Sequence, residues 1–175
     1  MDSKTTATTD MRSQLVDTIL KAYLEGFNNP GPDGAGFVAR RTPDCLHYVH
    51  PASAGLASSF TNETYIAFIT RVASLVHNLH INLLNGFSPI VDEKERRVML
   101  HLTGGGELPI GPYTNSYIFY FQLTDDGTQI KRIDEFLDVE SSQKLVMAVG
   151  AGVVQGVIPV APPSKTPGQP GEGSK

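Results

Sequence analysis

The chain has a single cysteine, Cys45, among 175 residues. That excludes an internal disulfide and a cysteine-rich zinc site. No apolar run approaches the roughly 18 residues needed to cross a bilayer. Basic clusters are missing as well: Lys plus Arg is 14 against 18 Asp plus Glu, a formal net charge of −4. A mildly acidic chain without a basic run is a poor ligand for nucleic acid or an anionic membrane. The first ten residues are polar and rich in Ser and Thr, unlike a secretory signal. The expected setting is therefore a reducing, cytoplasmic compartment. No Gly-x-Ser-x-Gly elbow occurs. Gly104-Gly105-Gly106 lacks the Lys and Ser/Thr that a phosphate loop requires. Metal spacing is also unconvincing. His47-x-x-His50 falls on an extended segment that sends its rings to opposite faces, and His77-x-x-His80 sits at a helix end. Neither has a carboxylate at a matching offset, so no metal and no cofactor are expected.

What is present reads as one ordinary domain, with 40% hydrophobic residues and length enough for a core. Residues 1–10 show no apolar periodicity and are expected to fray. Residues 162–175 are a Pro/Gly/Ser/Lys mixture that cannot bury apolar area. Residues 150–161 are apolar but broken by glycine, which fits an arm packed on the domain or on a partner subunit. The folded unit is expected over residues 11–149.

Within it, residues 11–27 carry a helical stripe led by Leu15, Ile19, Ala22 and Gly26, with Asp10 as N-cap. Asn28-Asn29-Pro30-Gly31-Pro32 stops that helix. A short helix is expected over 33–41, and a strand over 45–53 that breaks at Pro51. Tyr65, Phe68, Ile69, Val72 and Val76 mark a second long helix over 62–76, capped by Thr61. The period then becomes two. Strands are expected at 80–91, 96–103, 114–124 and 128–139. A charged turn spans 92–95, a Gly/Pro loop 104–112 and a tight Asp-Asp-Gly turn 125–127. A short helix over 141–149 closes the chain. Helices followed by hairpin-linked strands indicate an α+β fold, with helices on one face of a strongly curved antiparallel sheet and a pocket between the layers.

On the last strand, alternation places Ile133, Glu135, Leu137 and Val139 on one face. A carboxylate among apolar neighbours is costly unless it is paired or does chemical work. Glu135 is thus a candidate general acid or base, or a structural partner of a nearby Arg. Asp134 and Asp138 fall on the other face with Arg132 and Phe136, as surface or interface charges. Tyr113 and Tyr117 share one parity. They are either phenols that donate to a substrate oxygen or aromatic core with satisfied hydroxyls. Of Arg40 and Arg41, one folds inward to pair with Glu135 or to hold an anionic oxygen; the sequence does not choose. His101 is a secondary acid/base candidate. The glycine-rich 104–112 loop suits a lid beside Tyr113. Cys45 reads as a buried structural thiol.

This order of elements over residues 11–149 resembles the NTF2-like, SnoaL-like cone fold. That fold hosts many chemistries and does not itself determine one. A narrower likeness is carried by four positions: an Arg in the second helix, a Tyr-x3-Tyr pair at a strand start, and a Glu eighteen residues after the second Tyr. These resemble the fungal cofactor-free isomerases of secondary metabolism, semipinacolases among them. The resemblance implies a hydrophobic small-molecule substrate, an oxidised indole of a prenylated diketopiperazine alkaloid, rearranged to an indoxyl. It implies Glu135 as proton shuttle. Arg41 would set the ionisation of Glu135 and bind the oxygen at the migrating centre. Tyr113 and Tyr117 would orient the substrate, and the protein would be a homodimer. The rival readings are a polyketide cyclase, dehydratase or hydrolase of the same fold, and a non-enzymatic binding or dimerisation module. A cyclase would favour a His–Asp pair in the pocket, for which His101 with Asp134 is the only candidate.

Overall fold

The computed structural model describes residues 10–154, with side chains through Ala148. The first nine residues, most of the arm expected at 150–161 and the tail at 162–175 lie outside the described residues.

The chain opens with one helical rod: α1 (Met11–Asp17), a π-helical stretch (Thr18–Leu24) and α2 (Glu25–Asn28). Leu15, Ile19, Tyr23 and Phe27 recur every four residues and are all buried, so one stripe faces the sheet. Thr18 donates its hydroxyl to the Gly127 carbonyl at 2.6 Å and ties the π-helical stretch to the turn before the last strand. Asp10 caps with its backbone alone, accepting from Gln14, and its side chain makes no cap bond.

Seven strands follow: β1 (Arg41–His50), β2 (Ser59–Phe60), β3 (His77–Leu83), β4 (Ile90–Asp92), β5 (Arg97–Leu108), β6 (Gly111–Leu123) and β7 (Ile130–Leu137). They form one sheet in the order β2-β1-β7-β6-β5-β3, with β4 paired to β5. Two further α-helices, α3 (Asn62–Leu75) and α4 (Val139–Val154), complete the chain. Thr61 caps α3, accepting from the Thr64 backbone while the Thr64 hydroxyl accepts from the Thr61 N–H. The core lies between the helices and the inner sheet face, with Leu100, Leu102, Phe121 and Ile133 fully buried.

Four sequence expectations are corrected. The short helix at 33–41 is only a 3-10 turn (Ala35–Val38), and Arg41 already begins β1. Pro43 sits in β1, where the register shifts between Arg41 and Leu46, and an irregular ladder tolerates a missing N–H. The strand at 80–91 is two, β3 and β4, with Gly86 at positive φ between them. The Gly/Pro segment 104–112 is not a flexible lid, because both halves belong to long paired strands. Lastly, the sheet is mixed: β1 runs parallel to β7, although the remaining pairs are antiparallel.

Glycine is required within β5 by close approach rather than by a turn. A Cβ on Gly104 would stand 2.9 Å from the Tyr117 ring, and one on Gly106 2.4 Å from Val76 Cγ1. Local propensity disfavours a Gly-Gly-Gly strand. Here the missing side chains are what let the Tyr117 ring lie over β5.

Candidate functional site

A cavity opens between α3, α4 and the inner sheet face. Its wall is aromatic and aliphatic, with Phe60, Phe68, Phe119, Leu56 and Leu145 on it. Polar groups enter it from Glu135, Tyr65, Tyr113, Tyr117 and Ser142. The free interior is about 50 Å³, room for a few waters, within a funnel of about 600 Å³ counted out to its mouth.

Glu135 sits on β7 between β1 and β6, opposite Val49 on one side and Phe119 on the other. Its partner is not an Arg. Glu135 Oε2 lies 2.8 Å from Nε2 of His47, which is fully buried on β1. The approach is oblique, so Nε2 has no acceptor in line with its N–H. Arg41 stands behind this pair. Its Nη2 is 3.3 Å from His47 Nδ1, and its guanidinium lies 4.2 Å from the centre of the Tyr65 ring, in cation–π contact. Arg41 does not border the cavity. Direct oxygen binding by Arg41, implied by the resemblance, therefore does not match its place.

Burial drives the electrostatics here. Desolvation lowers the His47 pKa, and Arg41 pushes the same way, against the pull of Glu135. Burial also raises Tyr65 to about 12 and holds Tyr23 and Tyr117 well above the ordinary phenol value. These tyrosines are neutral donors at physiological pH.

The second polar group is a phenol pair. Tyr113 and Tyr117 Oη are 3.1 Å apart. Buried Asn115 orders them. Its Oδ1 accepts from the Ser116 and Asp138 backbone N–H groups at 2.7 and 3.1 Å, which fixes the amide orientation. Its Nδ2 then donates to Tyr113 Oη at 3.1 Å and to Ser142 Oγ at 3.0 Å. Tyr113 can accept from Asn115 and from Tyr117 at once, so either phenol can donate within the pair, and the other keeps its proton for the cavity.

The structure thus brings Glu135, Tyr113 and Tyr117 to one cavity and sets Arg41 one residue behind it. Arg40 and His101 do not join them. Arg40 has φ +62° and lies on the far side of the N-terminal helix, beside Lys21 and Asp17. His101 points from the outer sheet face, 2.9 Å from the Ser116 hydroxyl, because alternation in β5 gives Leu100 and Leu102 the inner side. Asp134 is also on the outer face, chelated by Arg132 at 2.6 and 2.8 Å and 3.1 Å from His50. The His101–Asp134 pair needed by a cyclase is therefore absent from the cavity. The spacing of His47 from His50 does not mark it as a site residue. The alternation Cys45, His47, Val49, all buried, was the available signal.

No protein-family model matches the chain. Among curated proteins it is 30% identical to austinoid biosynthesis clusters protein H of Penicillium brasilianum, over 55% of this chain and 66% of that protein. The chain thus spans just under two thirds of that relative's length. Among solved structures it superposes on BvnE pinacolase from Penicillium brevicompactum with a TM-score of 0.73 and 28% identity, covering 82% of this chain and 99% of that one. AusH from Aspergillus nidulans gives 0.66 and 25%, covering 73% and 85%. A protein of ketosteroid isomerase-like fold from Catenulispora acidiphila, 15% identical with a TM-score of 0.58, shares the fold alone.

Proposed function

Since the chain has the SnoaL-like fold and resembles fungal secondary-metabolite isomerases, we propose that it is a cytoplasmic, cofactor-free isomerase of the semipinacolase type. The substrate is an oxidised indole, an epoxide or hydroxyindolenine, of a prenylated diketopiperazine alkaloid. One observation carries this reading: a carboxylate and an ordered phenol pair share one apolar aromatic cavity. Tyr117 donates its hydroxyl to the substrate oxygen and holds it. In the hydroxyindolenine Glu135 removes the hydroxyl proton as the alkyl group shifts to the adjacent carbon and the carbonyl forms; an epoxide first opens its bond to the carbon beside nitrogen, its oxygen taking the proton that the ring N–H gives up. The ring nitrogen gains the electron pair and takes the proton back, so the reaction is an isomerisation with no net gain or loss. The apolar wall excludes water from the reacting carbons. The free interior is smaller than such a substrate, so the half-buried Leu56 and Phe68 must part to admit it.

A second reading is favoured by the curated relative, an austinoid cluster protein. In it the same acid–base set isomerises or cyclises an austinoid-type scaffold. Feeding a freshly oxidised prenyl-indole diketopiperazine separates the two. The indole reading expects the protein to redirect the spontaneous product mixture to one indoxyl. An unchanged mixture overturns it and leaves the austinoid-type reading. In the responsive assay, Tyr117→Phe should slow turnover about tenfold, about 1.4 kcal/mol for one lost hydrogen bond. Single-turnover rates measure this.

The protein is further proposed to act as a homodimer through the outer sheet face, where exposed Phe136 stacks on His50 at 4.7 Å and Leu46, farther along β1, is also exposed. Sedimentation should give a dimer for the wild type and a monomer for Phe136→Asp, because a charge there cannot be desolvated without a partner.

A further inference from the structure

We propose that His47 is a positioning residue for Glu135: Arg41 keeps its imidazole neutral and protonated on Nε2, and that nitrogen, 2.8 Å from Oε2, restrains one carboxylate oxygen so that the other faces the cavity. The role deepens the isomerase reading and rests on it for its catalytic consequence, though the proton's position can be tested without substrate.

The argument starts from donor chemistry. A guanidinium has N–H donors and no acceptor. Arg41 Nη2 lies 3.3 Å from His47 Nδ1, so Nδ1 must accept. The single proton of a neutral ring then sits on Nε2, the nitrogen 2.8 Å from Glu135 Oε2. An imidazolium would instead set an Nδ1–H against the guanidinium N–H and place two like charges together in the interior. Arg41 therefore opposes a second proton, and burial opposes it too. Glu135 and, from the outer face, Asp134 favour that proton but do not prevail. The other titratable groups facing the pair are Tyr23 from the π-helical stretch, Tyr65 from α3, and Tyr113 and Tyr117 from β6. All four are phenols whose protons burial retains.

Packing makes the arrangement stiff. The His47 ring meets Tyr65 at 4.7 Å, Phe119 at 5.9 Å and Phe60 at 6.4 Å between centroids, so aromatic rings limit its rotation. Arg41 is itself held by the Tyr65 face, and no ion pair joins it to Glu135 among the described residues. The order is therefore guanidinium, imidazole, carboxylate. Only the carboxylate reaches the cavity, and the imidazole acts through it.

The deciding experiment is nitrogen-15 NMR of the full chain labelled at histidine, in wild type and Glu135→Gln. The expected result is an Nε2–H tautomer at neutral pH that titrates below the ordinary histidine value of 6.5, with an Nε2 resonance that moves in Glu135→Gln. An Nδ1–H tautomer, a charged ring at pH 7, or a resonance blind to Glu135→Gln overturns the proposal. Stability gives a parallel readout. The folded state refuses a proton that unfolded His47 takes below its ordinary value of 6.5. Stability is then complete above that value and falls as pH drops, by up to tenfold in the folding equilibrium per pH unit. His47→Phe should remove this part of the slope, and retention of the full slope counts against a neutral buried His47. With an active substrate, His47→Phe should lower kcat by about ten- to a hundredfold at unchanged KM, and His47→Gln, which keeps an N–H donor, should recover most of it. Unchanged kcat in His47→Phe overturns the positioning role. A wild type inactive on the indole, with the Nε2–H tautomer observed, overturns only the assignment of substrate.

Discussion

Glu135→Gln should lower turnover by about 10²- to 10⁴-fold, the range that a positioned general acid or base supplies. The substitution changes little else. Glutamine fills nearly the same volume, and its carbonyl oxygen can take the place of Oε2 beside His47 Nε2. What it cannot do is take a proton and return it. Steric and packing effects are therefore small, and the loss reports proton transfer. Rates on an oxidised prenyl-indole and thermal melts of both proteins check the result. Activity within a few-fold of wild type would mean that the cavity steers the rearrangement by shape alone. A melting temperature well below wild type would instead give Glu135 a structural role.

Gly36→Ala should destabilise the fold by about 3 kcal/mol, toward the upper end for overpacking a close-packed site. Gly36 lies in the 3-10 turn between the N-terminal helix and β1. A Cβ there would stand 2.4 Å from Gly26 O, 2.6 Å from Pro30 Cα and 2.9 Å from Asn29 O. All three atoms are backbone, so no side chain can swing aside. Gly26 has the reciprocal constraint, with Gly36 O at 2.6 Å from its own hypothetical Cβ. The two glycines let the end of the helix touch the turn that delivers Arg41 to β1. Urea unfolding of the variant measures the effect. A loss below about 1 kcal/mol would show that the turn has slack. Activity should also drop in the folded fraction, because β1 carries both Arg41 and His47.

The parts of the site that follow from local periodicity were legible in the sequence. Ile133 and Leu137 flank Glu135 at period two and are apolar, so the carboxylate's inward direction could be read without any tertiary knowledge. The same holds for Tyr113 and Tyr117, and for the helical stripes of residues 11–27 and 62–76. Arg40 against Arg41 was not legible, because the choice depends on a positive φ at Arg40 and on where β1 begins. The glycine run 104–106 misleads for a physical reason. Intrinsic propensity makes it a loop, whereas the Tyr117 ring and Val76, which close over it, come from other elements. His47 shows the limit most clearly. Its inward parity was local information, but its meaning comes from Glu135, a residue distant in sequence on the neighbouring strand.

The parallel pairing of β1 with β7 places the first and last long strands side by side. His47 and Glu135 therefore meet only after nearly the whole domain has left the ribosome. Until then neither strand has the other, and an emerging chain holds no assembled acid–base pair. Loop closure over such a separation is slow relative to forming the β5–β6 hairpin. The sheet should grow outward from its antiparallel half and acquire the functional pair as its final act. Enzymatic competence in a refolding experiment would thus lag behind the recovery of secondary structure, and would time the closing of the sheet.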